Sequence, residues 1–393
     1  MIYAFVPITP NTPIGGIGAL VEYITSTNIL MGKDEGAILT DSSYIKDWLP
    51  PSQKNIKIFP STHQVTKKDS IIIPEVCPDV ITNYPEAKKK FLSVLNWYYY
   101  DEVFAKKTPT QLGYDYILTN SKYTQDYLVN KKVNLPISII SPIIDPVLYS
   151  ITRPYEDRPH NSLIILNRKN NQHIQPILNY LKSQTHQVTI INNINPVLIG
   201  KIFNDNQVFI NLGYPEGFGR PSAEAMASGC IVVGFSGGGS LEFLHHKKNS
   251  FVASDGDEKQ LIQNLDYVLN KMTSENKRSM SRDASEYILN QYGEPHTVTQ
   301  FYDVFKSFIL EPQKAKKNLD QFIKLHLQRK VNFSEINEKD ILIDQLVNEN
   351  NYLKNTLKTS KGLFINSKMY KMWRFYRGVI ELKFFKKKFK LDF

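Results

Sequence analysis

One stretch of this chain, residues 208–239, constrains the fold more than any other. Residues 208–212 form a β-branched, apolar run that ends at a glycine, which predicts a buried strand. Pro221 suits the first turn of a helix, because its missing N–H needs no partner there. Residues 223–227 are mostly good helix formers, and residues 231–233 are typical of a buried parallel strand. The order strand, glycine loop, helix and strand indicates an α/β protein.

Two carboxylates flank the glycine loop of this stretch. Glu216 falls on the loop, and Glu224 falls about one turn into the predicted helix, which Gly229 is suited to terminate in a left-handed conformation. Backbone N–H groups at the start of a helix point away from it without partners inside the helix. Such a helix start suits an anion such as phosphate.

Two series of strands and helices fill the first 312 residues. The predicted strands of the first series are 2–6, 36–39, 56–59, 71–73, 116–118 and 137–140, with a helix expected at 83–96 and another at 122–129 capped by Ser121. The second series has predicted strands at 162–166, 188–191, 208–212, 231–233 and 250–253, and helices at 174–181, 197–203, 258–271 (begun by Asp255 or Asp257), 274–292 and 297–310. We therefore expect two doubly wound, Rossmann-like domains facing a cleft, at 1–147 and 148–312, with a helical extension at 313–393.

Composition places the chain among folded globular proteins, with 41% hydrophobic and 12% aromatic residues. The two cysteines, Cys77 and Cys230, do not form a CxxC motif, which favours a reduced, cytosolic setting. The first residues lack a basic region before Pro7, so we expect no signal peptide. No run of 18 apolar residues occurs, so we expect no transmembrane span.

The net charge of +10 is concentrated at the C-terminal end. Residues 361–393 contain ten lysine or arginine residues and two acidic residues, and aromatic side chains alternate with the basic ones. This pattern predicts binding to a membrane surface, with an ordered helix packed on the body or on a second copy as the alternative. A nucleic-acid partner is not expected, since nothing in the body resembles a nucleic-acid module. Residues 336–357 follow a heptad spacing that indicates either a short coiled coil and a homodimer, or one surface helix.

Several polar and aromatic groups outside the main stretch have two interpretations. Asp255 and Asp257 form a D-x-D sequence, but their position favours a turn and a helix cap over a metal site. His245 and His246 are adjacent and make a poor metal pair, and Glu242 is expected to bind backbone groups. The aromatic run 97–100 indicates core or domain-interface packing, with a sugar-stacking platform as the alternative.

The main stretch resembles family 4 of the retaining GT-B glycosyltransferases, also called group 1 glycosyltransferases. The sequence EGFGRPSAEAMASG from Glu216 has the two acids of the family's E-x7-E pattern, and the glycine-rich sequence that follows is similar to the family's next loop. Outside it, Arg168 and Lys169 resemble the residues that hold the donor diphosphate. Gly15 and Gly16 look like the N-terminal glycine loop of that family. The resemblance covers residues 1 to about 312.

The resemblance implies an enzyme that transfers a sugar from a nucleotide-diphosphate sugar with retention of configuration. Glu216 would contact the hydroxyls of the transferred sugar as the catalytic residue, and Glu224 the ribose. The remaining donor-binding residues would be Arg168, Lys169, Gly217, Phe218, Gly219, Gly15 and Gly16. Glu75 and Asn96 would lie on the acceptor side.

The implied acceptor is a glycan or a lipid-linked molecule of surface polysaccharide or glycolipid biosynthesis. The implied location is cytoplasmic, peripheral at the inner face of the membrane. No cofactor or metal is required by this scheme. Two alternatives stay open: another sugar-nucleotide enzyme of the same fold, such as an epimerase, and a catalytically idle scaffold that uses the coiled coil and the basic tail.

Overall fold

The computed structural model describes residues 1–7, 15–42, 55–182, 186–192 and 196–332, and for 327–332 only the backbone. These residues belong to one compact unit, Met1–Ile336. The predicted coiled coil at 336–357 and the basic segment at 361–393 lie outside the described residues. Both therefore stay predictions, as do the predicted domain boundaries.

The first half of the chain forms a seven-stranded parallel sheet. Its strands are β1 (Ile2–Phe5), β2 (Gly36–Leu39), β3 (Lys57–Phe59), β4 (Ser70–Pro74), β5 (Lys89–Val94), β6 (Tyr116–Thr119) and β7 (Ile137–Ile139), in the order β3-β2-β1-β4-β5-β6-β7. Every neighbouring pair is parallel. Most central positions are apolar and buried, because helices or loops cover both faces of a parallel sheet.

The second half forms a five-stranded parallel sheet. Its strands are β8 (Ser162–Leu166), β9 (Gln187–Ile191), β10 (Val208–Asn211), β11 (Ile231–Phe235) and β12 (Phe251–Ala253), in the order β12-β11-β10-β8-β9. Neighbouring strands are again parallel. The expectation of two doubly wound α/β sheets is therefore confirmed.

Helices cover the faces of both sheets. In the described part of the chain they are α1 (Gly15–Met31), α2 (Tyr100–Val103), α3 (Lys122–Asn130), α4 (Pro146–Tyr149), α5 (Ile174–Leu181), α6 (Pro196–Asn204), α7 (Arg220–Ala227), α8 (Glu258–Asp266), α9 (Ser274–Gln291), α10 (Glu294–Phe305) and α11 (Pro312–Asn332), with a π-helical turn at Tyr267–Lys271 after α8. Among the described residues, no helix combines the length and the apolar character that crossing a bilayer requires.

Successive residues of each strand point into different cores. In β8, Ile164 lies in one cluster, while Leu163 and Ile165 lie in the cluster on the opposite face. The same alternation in β10 places Phe209 on one face of the sheet and Val208 and Ile210 on the other. This is the two-residue period that a strand imposes, here apolar on both faces.

The last two described helices return to the first sheet. Phe301 and Phe305 of α10 pack in the same core as β1 and α1, with their two rings stacked at 4.1 Å. Ala315 and Leu319 of α11 join that core, and the side chain of Asn318 donates to the carbonyl of Leu30 at 2.8 Å. The chain therefore crosses from the first sheet to the second and back.

One predicted element was wrong. Residues 83–96 were expected to form a helix, but the structure has a 3₁₀ turn at Pro78–Asn83 and strand β5 at Lys89–Val94. Phe91, Leu92 and Leu95 fit helical spacing, yet Phe91 and Leu92 are fully buried in a strand that pairs with β4 and β6, and Leu95 follows the end of that strand. Tertiary burial between two strands outweighs the local helical pattern.

The predicted capping residues are confirmed. The Ser121 side chain accepts a hydrogen bond from the backbone of Thr124, and that of Asp257 accepts one from Gln260. Gly229 follows α7 with a φ of 81°, the left-handed conformation that a glycine adopts without strain. Gly15 and Gly16 were expected in a glycine loop, but helix α1 begins at Gly15 and contains both.

Candidate functional site

Strand order identifies one crevice in each sheet. In the second sheet, β8 and β10 are neighbours, and the chain continues from β8 to one edge and from β10 to the other. Loops that leave such a pair diverge, and ligands of doubly wound proteins bind in the crevice between them, at the carboxyl ends of the strands. Arg168 and Lys169 follow β8, and Glu216 lies in the loop after β10. In the first sheet the corresponding pair is β1 and β4, with Glu75 directly after β4.

Three charged residues of the predicted donor site converge at the crevice of the second sheet. Arg168 donates from Nη2 to Oε1 of Glu216. Lys169 Nζ lies 3.2 Å from the same oxygen and donates to the carbonyl of Pro215 at 2.6 Å. The structure therefore brings together the two basic residues and the first acid of the E-x7-E pattern, which are separated by more than forty positions in the sequence.

The surroundings of these charges differ from one residue to the next. The Glu216 side chain is 12% exposed, whereas that of Arg168 is 46% exposed. Burial lowers the pKa of Lys169, although the neighbouring Glu216 opposes this change. Arg168, Lys169 and Asn211 line a small pocket at this crevice that is open to solvent. The Arg168 guanidinium is therefore partly open to solvent, while Glu216 beside it is largely buried.

The glycines of the main stretch allow backbone segments to approach closely. A Cβ atom on Gly217 would lie 1.7 Å from the carbonyl oxygen of Leu95, which follows β5 of the first sheet. Gly219 has a φ of 87°, and a Cβ there would lie 1.9 Å from the Ser240 hydroxyl oxygen. These glycines permit contact between parts of the protein, so their predicted contact with a donor stays a prediction.

Glu224 belongs to a buried charge cluster that joins the two sheets. Arg220 Nε lies 3.6 Å from Glu224 Oε1, and Arg220 Nη1 donates to Oε1 of Glu22 on α1 at 2.8 Å. The other guanidinium nitrogen donates to the carbonyl of Ile143 at 3.0 Å. The second acid of the E-x7-E pattern is therefore held by an arginine that also binds a glutamate from the first half of the chain.

One guanidinium faces two buried carboxyl groups in this cluster. Burial raises the pKa of Glu22 and of Glu224, and the attraction of Arg220 only partly offsets that effect. Burial alone would lower the Arg220 pKa, but Glu22 and Glu224 raise it, so the guanidinium stays charged. Glu22 was missed in the sequence, because nothing local marks a glutamate inside a helix as the partner of a residue almost two hundred positions away.

The first sheet contacts the glycine loop directly. Trp97, just after β5, donates its indole N–H to the carbonyl of Glu216 at 3.0 Å. The hydroxyls of Ser121 and Thr124, at the start of α3, both donate to the carbonyl of Gly217. The aromatic run 97–100 thus includes the interface residue that the sequence indicated, but its partner could not be identified from the sequence.

Glu75 and Asn96, the predicted acceptor-side pair, are in contact with one another. The backbone N–H of Asn96 donates to Glu75 Oε1 at 3.0 Å. The Glu75 side chain is buried, and among the described residues its Oε2 has no hydrogen-bond partner. Burial raises the pKa of Glu75 to about 7. Their role toward an acceptor stays a prediction.

The remaining candidates have structural partners. The Phe218 side chain is buried against Phe243 and Tyr292, so only its backbone is available to a ligand. Glu242 accepts a hydrogen bond from the backbone N–H of Lys122 at 2.7 Å, as the expected backbone-binding role requires. Asp255 accepts one from the backbone of Gly237 at 2.9 Å. Within the described ranges, no group of three or more His, Cys, Asp or Glu residues has the arrangement of a metal site.

Comparison with known proteins agrees with the geometry of the second sheet. Residues 163–287 match the family model described as glycosyl transferases group 1. The α-1,6-glucosyltransferase of Actinobacillus pleuropneumoniae serotype 7 (strain AP76) is 31% identical over 127 residues. That alignment covers 31% of this chain and 37% of the relative, so the chain matches much less than the whole length of that enzyme.

Solved structures share the fold at low sequence identity. Alr3699/HepE of Anabaena, crystallised in complex with UDP-glucose, superposes with a TM-score of 0.59 at 13% identity, over 78% of this chain and 100% of the other. A glycosyltransferase from Rickettsia africae gives a TM-score of 0.57 at 13% identity, over 78% of this chain and 98% of its own. Sucrose-phosphate synthase from Thermosynechococcus elongatus gives 0.56 at 12% identity, with the same coverage. The two-sheet body therefore has the GT-B glycosyltransferase fold, and its second half carries the group 1 glycosyl transferase sequence pattern.

Proposed function

We propose that this protein is a retaining glycosyltransferase that moves a sugar from a nucleotide-diphosphate sugar to a glycan or lipid-linked acceptor. The observation that carries the proposal is the convergence of Arg168 and Lys169 on Glu216 at the crevice of the second sheet. The group 1 match over 163–287 includes all three residues. UDP-glucose is the first donor to test, because the relative from A. pleuropneumoniae is a glucosyltransferase and Alr3699/HepE was crystallised with UDP-glucose.

The basic residues account for recognition of the donor diphosphate. Hydrogen bonds from charged donors contribute about 1.5–3 kcal/mol each, and the start of α7 adds a partial positive charge of about half a unit. Arg168 exchanges its bond with Glu216 for a phosphate oxygen. The Glu216 carboxylate then accepts hydrogen bonds from hydroxyls of the transferred sugar. Glu224, with its Arg220 partner, accepts from the ribose.

The transfer breaks the bond between C1 of the sugar and the diphosphate oxygen, and a bond forms between C1 and an acceptor hydroxyl oxygen. The proton of that hydroxyl is released to the departing diphosphate or to solvent. Negative charge develops on the diphosphate oxygen, where Arg168 and Lys169, already moved into place when the donor binds, stabilise it. We propose that this positive charge serves in place of a metal ion.

Turnover of UDP-glucose tests the proposal. UDP release is measured with α-1,6- and α-1,4-linked glucose oligosaccharides as acceptors, and the anomeric configuration of the product is read by NMR. Glu216→Gln is expected to lower kcat/KM by about 10²–10³-fold, the range for a lost transition-state contact. Glu156→Gln, a change at an exposed glutamate in the same half of the chain, is the control.

Each other outcome has a defined meaning. Inverted products would refute retention, and a loss of turnover in EDTA would refute the metal-free scheme. A new nucleotide sugar without a glycosidic bond would favour an epimerase. If neither UDP, GDP, ADP nor their glucose conjugates raised the melting temperature, the donor site itself would be refuted.

The biological setting is a further part of this proposal. We infer a role in surface polysaccharide or glycolipid synthesis at the inner face of the membrane, supported by the basic, aromatic composition of 361–393. Co-sedimentation of the full chain with vesicles containing anionic lipid tests this location. Equal sedimentation with neutral vesicles would contradict an electrostatic anchor.

A further inference from the structure

Two exposed tyrosines directly follow Trp97, which contacts the loop of Glu216. Tyr98 and Tyr99 belong to the 3₁₀ turn Trp97–Tyr99, which follows β5 at the carboxyl edge of the first sheet. Tyr98 is 56% exposed and Tyr99 is 41% exposed. Neighbouring exposed aromatic side chains on a soluble surface indicate an interaction site more often than a defect of folding.

Hydrogen bonds and ring contacts stabilise the turn that carries these tyrosines. The backbone N–H of Tyr98 donates to the Asn96 side chain at 3.2 Å, and Asn96 is itself fixed by the buried Glu75. The Tyr98 ring packs edge-on against Trp97 at 5.9 Å and against Tyr99 at 5.6 Å. A surface with so many internal contacts is ordered before a ligand arrives, which lowers the entropic cost of binding.

Trp97 connects the tyrosines to the donor loop. Its indole N–H donates to the carbonyl of Glu216, the residue proposed to contact the transferred sugar. The indole nitrogen also lies 3.1 Å from the position that a Cβ on Gly238 would occupy. Through Trp97 the aromatic group therefore contacts the loop that carries Glu216, and it follows β5 of the first sheet.

The border of the aromatic group is polar and carries both charges, because Lys131 pairs with Asp101 and lies over the Tyr127 ring. The Tyr127 ring packs at 5.3 Å from Trp97, and its hydroxyl donates to Asp101 at 2.8 Å. Asp101 and Glu102 are both exposed. Exposed aromatic rings beside charged and polar groups suit a sugar ring, which has an apolar C–H face and a rim of hydroxyl donors.

We propose that Tyr98 and Tyr99, supported by Trp97, form a subsite for a pyranose ring of the acceptor glycan, in which one tyrosine stacks on the sugar and the other, at 79° to the first, contacts its edge. This inference rests on the proposed glycosyl transfer and narrows its acceptor to a carbohydrate chain. The subsite binds sugar units of the acceptor beside the reacting hydroxyl. It therefore affects acceptor binding and leaves donor binding unchanged.

Direct binding to the full-length protein provides the first test. The probes are isomaltotriose and maltotriose, followed by saturation-transfer NMR and by titration. The double variant Tyr98→Ala/Tyr99→Ala is expected to bind about tenfold more weakly, as the loss of two ring contacts predicts. Tyr98→Phe/Tyr99→Phe keeps both rings and should retain most of the affinity. Tyr267→Ala removes a tyrosine of similar exposure, 45%, from the second half and serves as the control.

Transfer kinetics provide the second test. The alanine variant is expected to raise the acceptor KM about tenfold, with an unchanged Kd for UDP-glucose and an unchanged rate of UDP-glucose hydrolysis without acceptor. An equal acceptor KM in wild type and variant would overturn the subsite while transfer itself stands. If oligosaccharide binding depends on the tyrosines but no sugar is transferred, the subsite is supported and the proposed glycosyltransferase function is refuted.

Other results would assign the tyrosines to a different partner. If the wild type binds neither trisaccharide, the proposal is overturned. It is also overturned if the alanine variant keeps its oligosaccharide affinity but loses binding to phosphatidylglycerol vesicles, or loses self-association in sedimentation velocity. Those two outcomes would indicate a membrane contact or an interface between copies of this chain.

Discussion

The buried carboxyl group of Glu75 makes the stability of this protein depend on pH in a specific direction. Burial raises its pKa from 4.5 to about 7 in the folded state. A group with a raised folded pKa stabilises the fold fully below the unfolded value of 4.5, and this contribution is lost as the pH rises through about 7. At 1.36 kcal/mol for each pKa unit, the interval corresponds to about 3 kcal/mol.

Glu75→Gln isolates this effect, because glutamine has nearly the same shape and cannot ionise. Its side-chain oxygen can still accept the hydrogen bond from the Asn96 backbone. Relative to the wild type, the free energy of unfolding of the variant is expected to rise by about 3 kcal/mol between pH 4.5 and pH 8. The difference in the free energy of unfolding between the two proteins removes the effect of all other titrating groups, because both proteins contain them.

Urea unfolding at half-unit intervals from pH 4.5 to 8.5 measures this difference. Glu156→Gln, which removes an exposed carboxylate, shows the effect of losing a glutamate charge without burial. A Glu75→Gln difference that stays flat between pH 5 and 8 would show that Glu75 is already ionised in the folded protein. The argument from its burial and its unpartnered Oε2 would then be refuted.

Three further substitutions test contacts at the site. Arg220→Ala leaves Glu22 and Glu224 buried without their cation and is expected to lower the free energy of unfolding by about 3–5 kcal/mol at pH 8. Urea unfolding should show a smaller loss of stability at pH 4.5, and an equal loss at both pH values would contradict the charge argument. Gly217→Ala places a Cβ 1.7 Å from the Leu95 carbonyl oxygen and should lower the stability of the fold by about 1–3 kcal/mol. An unchanged melting temperature would disprove that close contact. Arg168→Ala should weaken UDP-glucose binding about 10–100-fold in calorimetry with little change in stability, since its side chain is 46% exposed; undiminished affinity would exclude Arg168 from the donor site.

Local sequence was sufficient for most strands and for the main stretch. The apolar runs that became β8, β10 and β11 are short, continuous and bounded by turn residues, and that pattern is typical of buried parallel strands. It failed at β5, because Phe91 and Leu92 satisfy helical spacing as well as strand burial. A short apolar run contains too little periodic information to separate the two when its partners are unknown.

For the candidate site, too, some residues could be predicted from local sequence and others could not. Arg168, Lys169 and Glu216 were selected from the sequence by residue type and motif, and the structure brings them within contact of one another. Glu22 could not be selected in this way, and for Trp97 the sequence indicated packing but not the partner. Their importance comes from Arg220 and from the Glu216 carbonyl, which the fold alone places beside them.

The sequence by itself therefore determined the class of fold and the acidic and basic residues of the candidate donor site, because strand periodicity, glycine positions and the E-x7-E spacing are local properties. Only the tertiary structure decided that Glu224 shares Arg220 with Glu22, that Gly217 lies against Leu95, and that Trp97 contacts the loop of Glu216. The physical reason is distance along the chain. These contacts join the two sheets, and they exist only once both sheets have formed and packed together.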